Sequence, residues 1–199
     1  MIAEEKFWKW FQKNEKKLLH FEADQERIFD QVASELQKVD PNLTFEFGPA
    51  GARREFVISA AGIKDSFPAV VSLKSAAPAL PYWRITAFRP RRTPINIIEF
   101  REKSVDPKDV EFTLLDNGKT AGLYLFIPGL REDETDYKII GYLLLDEALG
   151  EYDVETGLGF IEMYPSYVRK EGQRYPLADL PSLFDKLTGQ LQGRSQLPS

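Results

Sequence analysis

A basic segment of four arginines is the first feature of this sequence that could do chemistry. It comprises Arg84, Arg89, Arg91 and Arg92. The planar guanidinium group of arginine binds carboxylate and phosphate oxygens through paired N–H donors. The basic segment therefore predicts contact with a small anion or an acidic protein partner, unless its arginines pair with acidic residues of the same chain. The sequence pI of about 5.1 and the lack of an aromatic-rich RNA-binding signature argue against a nucleic-acid partner.

An acidic segment further along the chain could act as an acid and base pair or hold a divalent cation. It comprises Asp146, Glu147, Glu151 and Asp153. The spacing of a calcium-binding loop is absent, so no metal ligand is assigned. We expect this segment to lie at the carboxyl end of a helix, where acids oppose the helix dipole unless a cation is near. The alternative to a site is that one or two of these acids pair with the basic segment.

The remaining candidates for a binding or catalytic role are two tryptophans and a histidine near the N-terminus, and two serines. Trp8 and Trp10 could contact a partner, since tryptophan is enriched at interaction hot spots, or could dock the first helix onto the domain. His20 could serve as a base, but a lone histidine between Leu and Phe is more often a packing residue. Ser59 and Ser72 lack the glycine context of a nucleophile elbow. The sequence thus assigns no catalytic residue.

The composition excludes several classes of function. The chain has 199 residues, no cysteine and one histidine, which excludes disulfides, thiolate chemistry and a three-histidine zinc site. No glycine-rich phosphate loop occurs, and we expect no cofactor. The N-terminus lacks a signal sequence and no apolar run is long enough to span a membrane, which predicts a cytoplasmic, soluble protein. The net charge of −5 combines a basic middle, residues 61–103, with an acidic C-terminal half, residues 104–199.

Hydrophobic periodicity predicts the elements that position these residues. Apolar residues at helical spacing indicate N-terminal helices within 5–38, and alternation over 43–47 and 54–60 indicates an antiparallel hairpin. Asn117-Gly118 predicts a second tight turn, and a helix is predicted from Asp133 to Leu149 with Gly150 as its C-cap. The sum is an α+β fold: a mainly antiparallel sheet, a meander plus a hairpin, with about four to five helices packed on it. We expect one domain over 1–193, with the sheet and helices in 43–191 and a frayed tail at 194–199.

Three segments together resemble a family of uncharacterised single-domain bacterial proteins with no assigned activity. These are Phe7–Phe11, Ala77–Arg91 and Leu145–Asp153. The resemblance spans about residues 7 to 164. It implies a bacterial, cytoplasmic setting and carries over no catalytic residue.

The sequence therefore favours a non-enzymatic domain that binds a protein partner or a small anionic ligand. In this interpretation the binding residues are the basic segment with Trp8 and Trp10. One alternative is a carboxylate-based enzyme, dependent on a divalent metal, that uses the acidic segment. Another is an immunity-type protein that neutralises a toxin through an acidic surface. A homodimer is compatible with each of these.

Overall fold

The computed structural model describes residues 2–131 and 134–195. Within these residues there are six α-helices and nine strands in three mostly antiparallel sheets, so the α+β class is confirmed. The chain divides after Arg89 into two compact units. Each unit encloses a hydrophobic cluster of its own.

The first unit combines three helices with a three-stranded sheet. Its elements are α1 (Ala3–Leu19), α2 (Gln25–Gln37), β1 (Thr44–Phe47), β2 (Arg54–Ser59), α3 (Phe67–Ser75) and β3 (Trp83–Ala87). The strand order is β1-β2-β3. The predicted hairpin is confirmed, with β1 antiparallel to β2 and Phe47 opposite Phe56.

Both N-terminal helices are amphipathic, and each buries one apolar face. In α2 the buried residues are Ile28, Val32 and Leu36, spaced four residues apart so that they share one face. In α1 the broad apolar face buries Phe7, Trp8, Phe11 and Leu18. The two helices thereby supply much of the first unit's core, together with the aromatic side chains of its sheet.

Parallel pairing occurs once in each unit, in both cases across a helical connection. β3 runs parallel to β2, and α3 forms the connection between them. A crossover between parallel strands needs a segment long enough to return along the sheet. The stretch from Phe67 to Leu80, whose periodicity is ambiguous in the sequence, contains the helix that provides it.

The second unit contains the remaining nine elements. These are β4 (Ile98–Phe100), β5 (Lys103–Val105), β6 (Glu111–Asp116), β7 (Ala121–Ile127), α4 (Thr135–Leu149), α5 (Glu151–Gly157), β8 (Leu158–Pro165), β9 (Tyr175–Pro176) and α6 (Leu180–Ser195). β4 and β5 form an antiparallel pair, and the other strands form one sheet in the order β8-β7-β6-β9. The predicted tight turn joins β6 to β7, with Gly118 at φ +85°.

Alternation along β7 separates the two faces of the four-stranded sheet. Leu123, Leu125 and Ile127 belong to the core cluster, and the helices α4 and α6 contact this strand. Tyr124 and Phe126 lie on the opposite face, because successive side chains of a strand point to opposite sides.

The loop between β8 and β9 covers part of that opposite face. The guanidinium carbon of Arg174 lies 3.5 Å from the centroid of the Phe126 ring, and the ring is fully buried. Arg174 also donates to the carbonyl oxygens of Ser166 and Val168 and to the carboxylate of Glu111. This arginine therefore fastens its own loop to the outer face of the sheet.

The limits of the described residues bear on two predictions. The helix predicted from Asp133 begins at Thr135, and Asp133 itself lies outside the described residues. The frayed tail was predicted over 194–199, but α6 continues to Ser195 and residues 196–199 lie outside. The domain boundaries over 1–193 stay a prediction.

In the described part of the chain, no helix is long and apolar enough to cross a membrane.

Candidate functional site

The four arginines of the basic segment are divided between the two units. In the first unit, Arg84 is exposed on β3, opposite Glu55 in the strand register. Arg89 donates from Nε to the carboxylate of Glu46 on β1, at 2.6 Å. Arg91 and Arg92 belong to the second unit.

Arg91 donates hydrogen bonds to four oxygen atoms of three residues within the second unit. Its two terminal nitrogens donate to both carboxylate oxygens of Asp185, at 2.9 and 2.8 Å, and one of them also donates to Asp153, at 2.7 Å. Its Nε donates to the carbonyl oxygen of Leu149, at 2.9 Å. The pairing of basic and acidic segments, left open by the sequence, is thus observed for Arg91 and Asp153. Arg91 positions α5 and α6 relative to the end of α4.

The hydrogen bonds between Arg91 and Asp185 raise the pKa of the arginine and lower that of the aspartate. A lowered carboxylate pKa stabilises the fold above the usual pKa of aspartate, and this contribution is lost as pH falls through the lowered value. We predict that Arg91→Met raises the pKa of Asp185 toward the ordinary value of an aspartate. Carbon-detected NMR titration of the Asp185 carboxyl group measures this shift. Lys186→Met, next to Asp185 in the chain, is the control. An unchanged Asp185 titration in Arg91→Met would contradict the assignment.

The acidic segment is divided between two helices, which corrects its expected position. Gly150 ends α4 with φ +81°, a conformation that favours glycine. Glu151 and Asp153 then lie in the first turn of α5, where the helix dipole favours negative charge. The unfavourable placement predicted for these two acids does not occur.

The carboxylates of the acidic segment lie in different surroundings. The Glu147 carboxylate accepts a hydrogen bond from the Asn96 side-chain amide at 2.8 Å, and Glu151 is completely buried. Asp146 is half-buried near the end of α4. Across residues 2–131 and 134–195, no three acidic, histidine or cysteine side chains come together in a way that could hold a metal ion. The geometry therefore lends no support to a metal site here.

The tryptophans of α1 have different environments. Trp8 is only 2% exposed, and its indole N–H donates to the carbonyl oxygen of Leu73 at 2.7 Å. Trp8 is therefore docked, which is the second of the two roles that the sequence left open for it. Trp10 is half-buried, with its ring 6.1 Å from that of Phe7.

A buried arginine that the sequence analysis did not single out forms a stronger candidate site. Arg54, the first residue of β2, is 2% exposed. Its Nη2 donates to the Glu22 carboxylate at 2.5 Å, and its guanidinium carbon lies 4.5 Å from the centroid of the Phe21 ring. Its Nη1 is buried and has no hydrogen-bond partner among the described protein atoms.

A cavity of about 460 Å³ adjoins this arginine within the first unit. Its walls come from the end of α1, the turn that follows it, the loop before β2 and the residue before β3. The lining residues are Leu19, His20, Glu22, Ala50, Gly51, Ala52, Arg54 and Tyr82. The Tyr82 carbonyl accepts the backbone N–H of Arg54 at 2.8 Å, which fixes Tyr82 beside the arginine. We name this group of residues the Arg54 cavity.

Electrostatics in the Arg54 cavity are set by one close ion pair. The hydrogen bond from Arg54 lowers the pKa of Glu22, with a smaller contribution from a backbone hydrogen bond. Glu22 is 55% exposed while Arg54 is buried, so water solvates only the acidic partner. The guanidinium group keeps two donors on Nη1 that this pair does not use.

The sequence contains a pattern that indicates that Arg54 is buried. Arg54 is in phase with Phe56 and Ile58 on a strand that alternates, so the pattern places a charged side chain on the core face. A buried charge is costly unless it is paired and hydrogen-bonded, and it therefore calls for a partner. The partner Glu22 and the cavity have no sequence signature, because they depend on the packing of α1 against the sheet.

Comparison with known proteins gives no match. No family model matches the chain, and neither a curated protein nor a solved structure matches it.

Proposed function

We propose that this protein is a binding protein for a small organic anion, held in the Arg54 cavity against the guanidinium group of Arg54. The observation that carries the proposal is the buried Nη1 of Arg54, which lacks an acceptor among the described protein atoms. Arg54 also lines a cavity of ligand size. The bacterial and cytoplasmic setting implied by the sequence resemblance forms part of the proposal.

The energetics favour an oxyanion as the missing acceptor. A buried donor without a partner costs about 1–3 kcal/mol, and a hydrogen bond to a charged group contributes about 1.5–3 kcal/mol. A carboxylate oxygen against Nη1 would remove the cost and add the favourable interaction. Arginine suits this task because its nitrogens are fixed in one plane and stay charged at all physiological pH values.

Titration with sodium benzoate, followed by NMR shifts and calorimetry, tests the proposal. We expect benzoate to shift the backbone resonances of residues 50–54 and 82. Arg54→Met should weaken binding about 10- to 100-fold, which corresponds to the loss of one charged hydrogen bond. Arg53→Met is the matched control, because Arg53 is exposed and does not line the cavity. Its affinity should equal that of the wild type.

A second variant tests the proposal independently, in case Arg54→Met does not fold. Ala52 is exposed and lines the cavity, so Ala52→Trp should fill the space while Arg54 and its ion pair stay in place. We expect a wild-type circular dichroism spectrum and loss of benzoate binding. Benzoate affinity unchanged in Ala52→Trp, or no binding of benzoate, acetate or phosphate to the wild type, would overturn the proposal.

A further inference from the structure

The charge and lining of the Arg54 cavity restrict which anions it can hold. Resting on the proposed function, we infer that the ligand is a monocarboxylate with an aromatic or apolar body, and that the site discriminates against inorganic phosphate and other multiply charged anions. Three features of the cavity carry this inference: its net charge, its donors and its apolar walls.

Net charge sets the first restriction. Arg54 and Glu22 form an ion pair at 2.5 Å, and because Arg54 lowers the pKa of Glu22, the acid is a carboxylate at neutral pH. The pair is therefore neutral overall. The other titratable groups that line the cavity are His20 and Tyr82. A ligand with one negative charge meets a cation whose charge Glu22 already balances, and a second negative charge would face Glu22.

The available donors set the second restriction. Nη1 of a guanidinium group carries two N–H bonds, and in Arg54 neither has an acceptor among the described protein atoms. A carboxylate oxygen can accept from one of them. Phosphate recognition in proteins generally draws on several converging donors, such as a helix N-terminus or a cluster of arginines and lysines. Among the described lining residues, Arg54 is the one arginine or lysine.

Apolar walls set the third restriction. Leu19, Ala50 and Ala52 contribute aliphatic surface, and the Tyr82 side chain is 58% exposed at the cavity. A carboxylate group alone would occupy a small part of about 460 Å³. An aromatic ring beside Tyr82 would fill more of this space and contact the exposed ring, an arrangement that stabilises aromatic pairs.

The experiment compares benzoate, acetate, inorganic phosphate and uncharged benzyl alcohol by calorimetry on the wild-type protein. We expect benzoate to bind at least about tenfold more tightly than each of the other three, the equivalent of 1.4 kcal/mol. Glu22→Gln should raise phosphate affinity about tenfold and reduce the preference for benzoate, because it removes the charge that repels a second negative charge. Glu26→Gln, on the exposed side of α2, is the matched control and should leave both affinities unchanged.

Tyr82→Ala tests the apolar contribution. We expect it to weaken benzoate binding several-fold and to leave acetate binding unchanged, whereas Tyr167→Ala, at another exposed tyrosine in the second unit, should change neither. If acetate or phosphate binds the wild type as tightly as benzoate and Arg54→Met abolishes that binding, the inference is wrong and the proposed function stands. If no anion binds, both are wrong.

Discussion

Phe56→Ala is expected to lower the free energy of unfolding by about 3–5 kcal/mol, the cost of removing a fully buried aromatic side chain. Phe56 has no exposed surface. Its ring centroid lies 5.1 Å from that of Phe11 on α1 and 5.4 Å from that of Phe47 on β1. The ring thus joins the N-terminal helix to the sheet, and alanine would leave a cavity between them that tightly packed neighbours could only partly fill.

Urea denaturation followed by circular dichroism measures this loss. Phe56→Leu keeps most of the apolar volume and should cost much less, about 1–2 kcal/mol. Val71→Ala, at an exposed position of α3, should stay within about 0.5 kcal/mol of the wild type. A loss below about 1 kcal/mol for Phe56→Ala would contradict the central position assigned to this ring.

Phe126→Ala is expected to have a similar effect in the second unit, again about 3–5 kcal/mol, for a different reason. Phe126 lies on the sheet face opposite the helices, where Arg174 covers its ring. Alanine would remove both the buried ring and the surface on which the guanidinium group rests. The loop from Ser166 to Arg174 should then lose its attachment, since the hydrogen bonds from Arg174 depend on that position.

Hydrogen exchange with mass spectrometry separates the two parts of this effect. In Phe126→Ala we expect faster exchange across 166–174 as well as lower global stability. Phe126→Leu keeps an apolar support and loses the cation–π contact, so it should cost less, and Lys108→Ala in the short turn before β6 is a control for surface changes. Unchanged exchange across 166–174 in Phe126→Ala would show that Arg174 does not fasten the loop.

Local pattern was enough to predict much of the fold. The four-residue repeat of Ile28, Val32 and Leu36 identified α2 and its buried face. The hairpin of β1 and β2 and the turn at Gly118 followed from alternation and from residues that favour positive φ. These features depend on interactions between residues close in sequence.

Contacts distant in sequence could not be predicted in the same way. The parallel pairing of β2 with β3 depends on a crossover through α3, which periodicity alone leaves ambiguous. The ion pair of Arg54 with Glu22 spans 32 positions, and that of Arg91 with Asp185 spans 94. In the basic segment, the sequence left both anion binding and pairing within the chain open, and the structure engages Arg89 and Arg91 with carboxylates of their own units.

The distribution of aromatic residues gives each unit its own spectroscopic signal. All three tryptophans, Trp8, Trp10 and Trp83, precede Arg89, whereas all but Tyr82 of the eight tyrosines follow it. Indole emission therefore reports on the first unit alone, and near-ultraviolet tyrosine absorbance reports mainly on the second. A single denaturation sample recorded at both signals would show whether the two units lose their structure together or one after the other.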